Sequence, residues 1–334
     1  MKKTLAVTLL LSLLAGAAWV SPVFAAAKTK VALLVAGQLG DASFYDSANA
    51  GLRRAEKELG VIVKVMECNM DPANYVTYMA TAAKNFDLVI VVGFEFIDAI
   101  EQVAPKFPQT DFAYFDVAGK TEHVTYVDFK ENEGSFLAGA LAALMATRKG
   151  DPMVSGKAIV GAVCGEDIPV IHNFLVGYEQ GAKYIDPNCR VVTGFIGSWY
   201  DPAKGKELAL NQHKNGADVI FQVAGGSGEG VIAAAKEARF YAIGVDSPQE
   251  RLAPDVVLTS MLKRLDVAAF DMIKAKTEGR FPRGTTVSYD LKNGGVDLSW
   301  SESALRLIPA DVAAKLKAIT KEIADGKIVV DEYK

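Results

Sequence analysis

The sequence has few of the residues that build disulfide frameworks and metal centres. Its 334 residues include three cysteines and three histidines. Cys68, Cys164 and Cys189 cannot all pair within one molecule, and their scatter matches no disulfide framework. The histidines do not lie at metal-ligand spacing relative to the cysteines or to one another. We therefore expect buried thiols with at most one bridge, no structural metal and no cofactor.

The sequence also lacks the excess of positive charge that is typical of nucleic-acid-binding proteins. Lysine and arginine number 36, and aspartate and glutamate 40, which gives a formal net charge of -4. Nothing in this balance indicates a nucleic-acid partner. Hydrophobic residues make up 50% of the chain, which excludes disordered and fibrous classes and allows two lobes of ordinary domain size.

The first residues have the pattern of a secretory signal peptide. Lys2 and Lys3 precede an apolar stretch over residues 5–20, and small residues follow as far as Ala25. A membrane anchor is the alternative, but spanning a bilayer takes about 20 apolar residues and this stretch is short. We expect residues 1–25 to be removed by cleavage after Ala25. Because the first cysteine is Cys68, no lipid attachment is expected at the cleavage point, and the mature protein is expected in the periplasm.

Short apolar runs rich in β-branched residues alternate with amphipathic stretches of helix length from Lys30 onwards. Runs of nearly continuous apolar character are typical of strands buried on both faces of a parallel sheet. The alternation predicts an α/β fold of parallel sheets covered by helices. The predicted strands are 31–35, 61–66, 88–92, 112–115, 124–128, 158–163, 191–196, 219–223, 241–245 and 257–262.

The strands form two series on either side of a predicted helix at residues 132–145, which indicates two doubly wound parallel-sheet lobes. We expect a first lobe of residues 28–127 with 253–282, and a second of residues 128–252 with 283–334. No long linker rich in proline or serine separates the series. The lobes are therefore expected to be joined by a hinge of short crossing segments, with a cleft that faces the strand ends.

Residues that follow the predicted strands are the first candidates for a site, because ligands of open parallel sheets bind beyond the carboxyl ends of the strands. Glycines, acids and aromatic residues alternate there, which suits a polar ligand with a flat apolar part. Several motifs stand at or near these positions: Asp41-Ala42-Ser43-Phe44, Glu133-Gly134-Ser135-Phe136-Leu137-Ala138-Gly139, Gly197-Ser198-Trp199-Tyr200, Ala224-Gly225-Gly226-Ser227-Gly228, Gly244-Val245-Asp246-Ser247 and Thr259-Ser260-Met261-Leu262-Lys263.

In the order and spacing of these motifs the chain resembles the basic membrane protein family of nucleoside-binding receptors, over essentially its whole length after the signal peptide. The resemblance implies the type I periplasmic binding protein fold. It also implies a receptor that binds a nucleoside, with a purine nucleoside favoured, and delivers it to an ABC permease in the cytoplasmic membrane. We expect the receptor to be a monomer. One departure is Tyr45, where the family commonly has asparagine, and another is the missing cysteine for a lipid anchor.

The resemblance implies that Phe44 and an aromatic residue of the second lobe stack on the base, while Asp116, Asp246 and Lys263 contact the ribose or the base edges. Other readings remain open for several positions. Asp41 fits a helix cap, and Phe221 fits core packing as well as a pocket floor. The candidate ligand-binding residues are Asp41, Phe44, Tyr45, Asp116, Trp199, Phe221, Gly226, Asp246 and Lys263.

Three other functions are alternatives to a nucleoside receptor. Residues 228–233 fit the G-x-G-x-x-A pattern of a dinucleotide-dependent enzyme, but Gly225 and Gly226 occupy the turn where that pattern should begin. Residues 225–229 fail the nucleophile pattern of a hydrolase because the fifth residue is Glu229. A sugar or another small polar solute remains the alternative ligand, since acids and aromatic rings also grip pyranoses. We therefore expect a binding protein and no enzyme.

Overall fold

The computed structural model describes residues 27–334, so the predicted signal peptide lies outside the described residues. Two six-stranded sheets form the centres of two lobes. The first sheet has the order β11-β5-β4-β3-β1-β2, and all its pairings are parallel. Its strands are β1 Lys30–Val35, β2 Ile62–Glu67, β3 Leu88–Val92, β4 Asp111–Phe115, β5 Val124–Phe129 and β11 Thr286–Tyr289.

The second sheet has the order β12-β10-β9-β8-β6-β7 and is parallel except for its edge strand β12, which runs antiparallel to β10. The predicted class, an α/β protein of two parallel-sheet lobes, is confirmed. The strands of this sheet are β6 Ile159–Cys164, β7 Arg190–Phe195, β8 Val219–Val223, β9 Tyr241–Asp246, β10 Val257–Lys263 and β12 Val296–Leu298.

Ten helices cover the sheets within the described residues. Two of them start by the same local rule, because Asp71 and Asp201 accept hydrogen bonds from the backbone N–H groups of the first turns of α2 and α6, and a proline follows each. The helices are α1 Phe44–Leu59, α2 Pro72–Asn85, α3 Ile97–Val103, α4 Glu131–Ala146, α5 Pro169–Ile185, α6 Pro202–Lys214, α7 Gly228–Ala238, α8 Leu265–Thr277, α9 Glu302–Leu307 and α10 Ala310–Ala324.

The chain passes between the lobes at three places. Lys130 connects β5 to α4, Arg264 connects β10 to α8, and residues 290–295 connect β11 to β12. The Lys130 N–H donates to the Tyr289 carbonyl at 2.8 Å, and the Arg264 N–H donates to the Gly295 carbonyl at 2.9 Å. The three crossings are therefore tied to one another by backbone hydrogen bonds, as expected of a hinge between two rigid lobes.

The predicted lobe boundaries are wrong for two strands. β10 was assigned to the first lobe with residues 253–282, but it lies in the second sheet between β9 and β12. β11 was assigned to the second lobe with residues 283–334, but it pairs with β5 in the first sheet. The boundary at residue 127 also falls inside β5. Parallel strands pair over long sequence distances. The order of strands along the chain therefore does not determine which of the two sheets a given strand joins.

The three cysteines are buried, as the sequence predicted. Cys68, Cys164 and Cys189 are all free thiols. Burial raises the pKa of each thiol. Among residues 27–334 no helix combines the length and the apolar character that a membrane crossing needs.

Candidate functional site

A cavity lies between the two lobes, where the carboxyl ends of strands from both sheets face each other. It contains about 680 Å³ of space not filled by atoms, counting the part that opens to solvent. Of the nine predicted site residues, all but Phe221 line it. These are Asp41, Phe44, Tyr45 and Asp116 from the first lobe, and Trp199, Gly226, Asp246 and Lys263 from the second.

Phe221 lies behind the cavity and was wrongly included among the lining residues. It is fully buried in β8, and its ring packs against Phe174 and Tyr178 of α5 at centroid distances of 6.4 and 5.3 Å. Phe174 does line the cavity. The sequence placed Phe174 in an apolar helical stripe with Ile171 and Tyr178, which is the pattern of ordinary core packing, so no signal marked it as a site residue.

An aromatic residue from each lobe reaches the cavity. Phe44 is the first residue of α1, and Trp199 lies in the loop between β7 and α6. The ring of Trp199 packs so closely over Gly165 that a side chain there would overlap it. Glycine is therefore needed at this strand end because it leaves room for the ring. Both aromatic residues are only partly buried, which leaves ring surface to contact a ligand.

A buried ionic cluster closes one end of the cavity. The side chain of Lys263 is 1% exposed, its ammonium contacts the Asp116 carboxylate, and Nζ lies 3.8 Å from Glu131 Oε2. Burial lowers the pKa of Lys263, but attraction to Asp116, Glu131 and Asp246 outweighs burial and leaves the pKa above its ordinary value. Lys263 is therefore charged, and its ammonium can donate three hydrogen bonds.

The carboxyl groups of this cluster are strongly affected by burial. Burial raises the pKa of Asp246 to about 7, although Lys263 and the Ser43 hydroxyl both oppose the shift. Burial likewise raises the pKa of Glu131, against the attraction of Lys263. Asn173 donates to Glu131 Oε1 at 2.8 Å. Glu131 was not among the predicted site residues because it is the first residue of α4, where an acid is commonly an exposed partner of the helix dipole.

Two aspartates of the site hold an unusual backbone conformation. Asp116 follows β4 with φ 68°, and Asp246 ends β9 with φ 63°. The left-handed region is costly for residues other than glycine, although aspartate tolerates it better than most. Such conformations cluster where a ligand must be held. Both residues line the cavity, each at the corresponding strand end of its lobe.

The candidate Asp41 has a structural role in addition to its place in the cavity wall. Its carboxylate accepts hydrogen bonds from the backbone N–H groups of Ser43 at 3.0 Å, Tyr45 at 2.9 Å and Asp46 at 3.1 Å. These bonds satisfy the N–H groups at the start of α1, as the alternative reading of Asp41 anticipated. The carboxylate therefore positions Phe44 by fixing the turn on which it stands.

The lobes are in direct contact around the cavity. The Ser43 hydroxyl of the first lobe donates to Asp246 Oδ2 of the second at 2.5 Å. In return the Ser247 hydroxyl donates to the Ser43 carbonyl at 3.2 Å, and the Gln38 N–H donates to the Tyr200 hydroxyl at 3.2 Å. The structure is therefore a closed form, in which the walls of the two lobes meet over the cavity.

Comparison with known proteins agrees with this architecture. Residues 28–332 match the model of the Bmp family, described as "ABC transporter substrate-binding protein PnrA-like". The chain belongs to this family. The resemblance inferred from the strand-end motifs is thereby confirmed. Members of the family are substrate-binding proteins of ABC transporters and not enzymes, so the dinucleotide-enzyme and hydrolase readings are excluded.

Relatives and a solved structure support the same assignment. The "ABC transporter nucleoside-binding protein BmpA" of Lactococcus lactis is 33% identical, over 88% of this chain and 86% of that protein. An uncharacterized lipoprotein of Pyrococcus abyssi is 33% identical, over 89% of this chain and 76% of that protein. The crystal structure of an ABC transporter solute-binding protein from Aeropyrum pernix has a TM-score of 0.83 at 30% identity, and covers 91% of this chain and 94% of that one.

Proposed function

We propose that this substrate-binding protein captures a nucleoside, with a purine nucleoside as the favoured ligand, in the cavity between its lobes and delivers it to an ABC permease. The observation that carries the proposal is one cavity that joins aromatic side chains from both lobes to a buried ionic cluster. A nucleoside has the same two parts, a flat base and a sugar with hydroxyl groups. The name of the Lactococcus relative supports the same ligand class.

The base is proposed to lie between Phe44 and Trp199. A flat ring system between two aromatic side chains buries apolar surface on both faces, and stacking of this kind contributes about 1 to 3 kcal/mol per ring. Closing the lobes would bring the two walls onto the base from opposite sides. The stack therefore couples ligand binding to closure, because each lobe supplies one of its faces.

The ribose is proposed to lie at the ionic cluster. Lys263 has N–H donors to spare after its contact with Asp116, and Asp246 can accept from sugar hydroxyls beside its bond to Ser43. Hydrogen bonds to charged groups contribute about 1.5 to 3 kcal/mol. Ligands without sugar hydroxyl groups should therefore bind less tightly than ribonucleosides.

The cellular setting follows from the same proposal. A signal peptide ending at Ala25 would export the chain to the periplasm, where it would meet its permease as a soluble monomer. The Pyrococcus relative is described as a lipoprotein, whereas the first cysteine of this sequence is Cys68. Intact-mass measurement of the periplasmic protein tests this part, and a retained N-terminus or an acyl group would contradict it.

A thermal-shift screen of nucleosides, free bases and pentoses tests the ligand class. A ligand at 100 times its dissociation constant stabilises the protein by about 2.7 kcal/mol, so a true ligand is readily seen. We expect purine nucleosides to raise the melting temperature most. Stabilisation by ribose or another free sugar alone would replace the proposal with a sugar receptor.

A further inference from the structure

Glu95 is a cavity residue that the motifs did not mark. It lies in the short helical turn after β3, beside Gly93, and it lines the cavity together with Tyr45 and Tyr200. The absence of a side chain at Gly93 makes room for Glu95 Oε2, with the Tyr45 hydroxyl close by. The Glu95 carboxyl therefore belongs to a part of the wall built from β3 and α1.

The Glu95 carboxyl is not a member of the ionic cluster. Glu95 follows β3 and Asp116 follows the neighbouring strand β4, whereas Asp246 and Lys263 end strands of the other sheet. Within residues 27–334, the ion pairs of Lys263 are with Asp116 and Glu131, and Asp246 pairs with Ser43; none of these contacts involves Glu95. A ligand in the cavity can therefore contact the cluster with one group and Glu95 with another.

Glu95 Oε2 is buried and has no hydrogen-bond partner among residues 27–334. Among the same residues, Glu131 and Glu250 each also have one buried carboxylate oxygen without a hydrogen-bond partner, but neither residue lines the cavity, whereas Glu95 does. Buried polar groups are nearly always hydrogen-bonded, and each exception calls for an explanation. Because Glu95 faces a ligand cavity, the simplest explanation is that the missing partner is a group of the ligand.

The surroundings of Glu95 favour its neutral form. The titratable groups that respond to its charge are Tyr45 of α1, Tyr75 of α2, Tyr114 of β4 and Tyr200 after β7, and none of them carries positive charge. Burial, together with the like charge of the Glu166 carboxylate, raises the pKa of Glu95 to about 7. A closed cavity without a cation at this wall makes a carboxylate costly and an uncharged acid acceptable.

We propose that Glu95 selects the ligand by hydrogen-bonding, as a neutral acid, to a base edge that carries an acceptor and an N–H donor side by side. The acid O–H donates to the acceptor, and the acid C=O accepts from the N–H. The amino-pyrimidine edge of adenine and the lactam edge of hypoxanthine both have this pattern. The inference rests on the proposed function, because it requires a purine base in the cavity with its sugar at the ionic cluster.

The test compares Glu95→Gln with Glu95→Leu, using adenosine, inosine and the purine riboside that has no substituent at position 6. The wild-type protein should bind adenosine and inosine about tenfold or more tightly than the unsubstituted riboside, since the lost partner leaves a buried polar group unpaired. Glu95→Gln should keep this ranking, because an amide also offers a donor and an acceptor. Glu95→Leu should abolish it and bind the unsubstituted riboside at least as well as the wild type.

The pH dependence of adenosine affinity gives a second readout, which would not change if Glu95 had only a structural role. The protonated acid is the binding form, so wild-type affinity for adenosine should be full below pH 7 and fall above it, by up to about tenfold per pH unit. Asp246 titrates in the same range, so the quantity to compare is the difference between the wild-type and Glu95→Gln profiles. Glu166→Gln, which is outside the cavity wall, should lower the pH at which the decline begins and leave the affinity at low pH unchanged.

The outcomes separate the two proposals. If the wild type binds purine nucleosides and Glu95→Leu keeps the wild-type ranking, the selectivity role of Glu95 is wrong and the nucleoside function stands. If Glu95→Gln loses as much as Glu95→Leu, or keeps the wild-type pH profile, the neutral-acid form is wrong. If the wild type binds no purine ligand, both proposals fail. The ligand-free melting temperature of Glu95→Leu should equal or exceed that of the wild type, because an unpartnered buried acid is removed.

Discussion

The two lobes share one strand order, and their corresponding strand ends can be compared directly. β4 and β9 occupy the same place in their sheets and are followed by Asp116 and ended by Asp246, both with positive φ. Lys130 and Arg264 start the two corresponding crossings with nearly the same backbone, at φ -86° and ψ 62° and at φ -81° and ψ 59°. The lobes therefore repeat the same framework down to single backbone conformations.

The side chains on this framework differ at the residues just before and just after the two crossings. The residue before the crossing is Phe129 in the first lobe and Lys263 in the second, and the residue after it is Glu131 in the first case and Leu265 in the second. Lys263 Nζ lies 5.4 Å from the centre of the Phe129 ring and 3.8 Å from Glu131. One crossing supplies the cation and the other supplies an acid. A symmetric framework thus forms an asymmetric site.

The largest effect should come from removing Lys263, the buried cation at the second crossing. Lys263→Met leaves Asp116 and Glu131 buried without a counter-charge, and breaking a buried ion pair in this way costs about 3–5 kcal/mol of folding free energy. Urea denaturation at pH 8 measures it. At pH 6 the loss should be smaller, because Asp246, whose pKa burial raises to about 7, and Glu131 take up protons and need no cation.

The control for this prediction is Lys130→Met in the first crossing. The Lys130 side chain is 31% exposed and pairs with Asp128 and Glu332 on the surface. Such pairs contribute about 0–1 kcal/mol, so the control should unfold almost like the wild type. Equal losses in the two variants would contradict the contrast between the two crossings.

The next effect concerns the paired aspartates. Asp246→Gly removes the carboxyl and keeps the left-handed backbone without strain, which alanine would not do. We expect the preference for ribonucleosides over deoxynucleosides and free bases to fall by about 1.5–3 kcal/mol. Calorimetry with a purine nucleoside, its 2′- and 3′-deoxy analogues and its base measures the preference in both proteins.

Asp116→Gly is the matched variant in the first lobe. It should lower affinity for all these ligands, because Asp116 holds Lys263 in place. If Asp246→Gly only lowered the melting temperature and left the hydroxyl preference unchanged, Asp246 would act as a partner of Ser43 and not of the ribose.

The third prediction compares how much the aromatic residue of each lobe contributes to binding of the base. Phe44→Ala and Trp199→Ala should each weaken binding by about 1–3 kcal/mol, because each removes one face of the proposed stack. Trp199→Ala should also remove the ligand-induced change in tryptophan fluorescence. Trp300→Phe is the control, since Trp300 does not line the cavity and packs near Lys317. An intact fluorescence change in Trp199→Ala would rule out the stack.

The smallest expected effect lies at the contact between the lobes. Ser43→Ala removes the hydroxyl that joins the first lobe to Asp246 and should weaken ligand affinity by about 0.5–1.5 kcal/mol, because the closed form loses one hydrogen bond. Faster ligand dissociation in stopped-flow measurements should account for the loss. A loss confined to the association rate would argue against a role of Ser43 in holding the closed form.

The sequence by itself determined the class of fold and the edge of the sheets at which the site lies. Apolar runs buried on both faces specify parallel strands, and the direction of those strands fixes where polar residues gather. For that reason Asp116, Trp199 and Asp246 could be placed at one cavity from their positions after strands alone.

Only the tertiary structure decided which sheet takes β10 and β11, because strand pairing is a long-range choice that local periodicity does not encode. The same reason hid the positions of Phe174 and Glu95 in the cavity wall. In the sequence, an apolar stripe on a helix has the same pattern whether it faces the core or a cavity. A lone acid after a strand likewise gives the same signal whether it faces solvent or a cavity. Burial and the absence of a partner are properties of the packed chain, and they alone distinguish Glu95 from an ordinary surface glutamate.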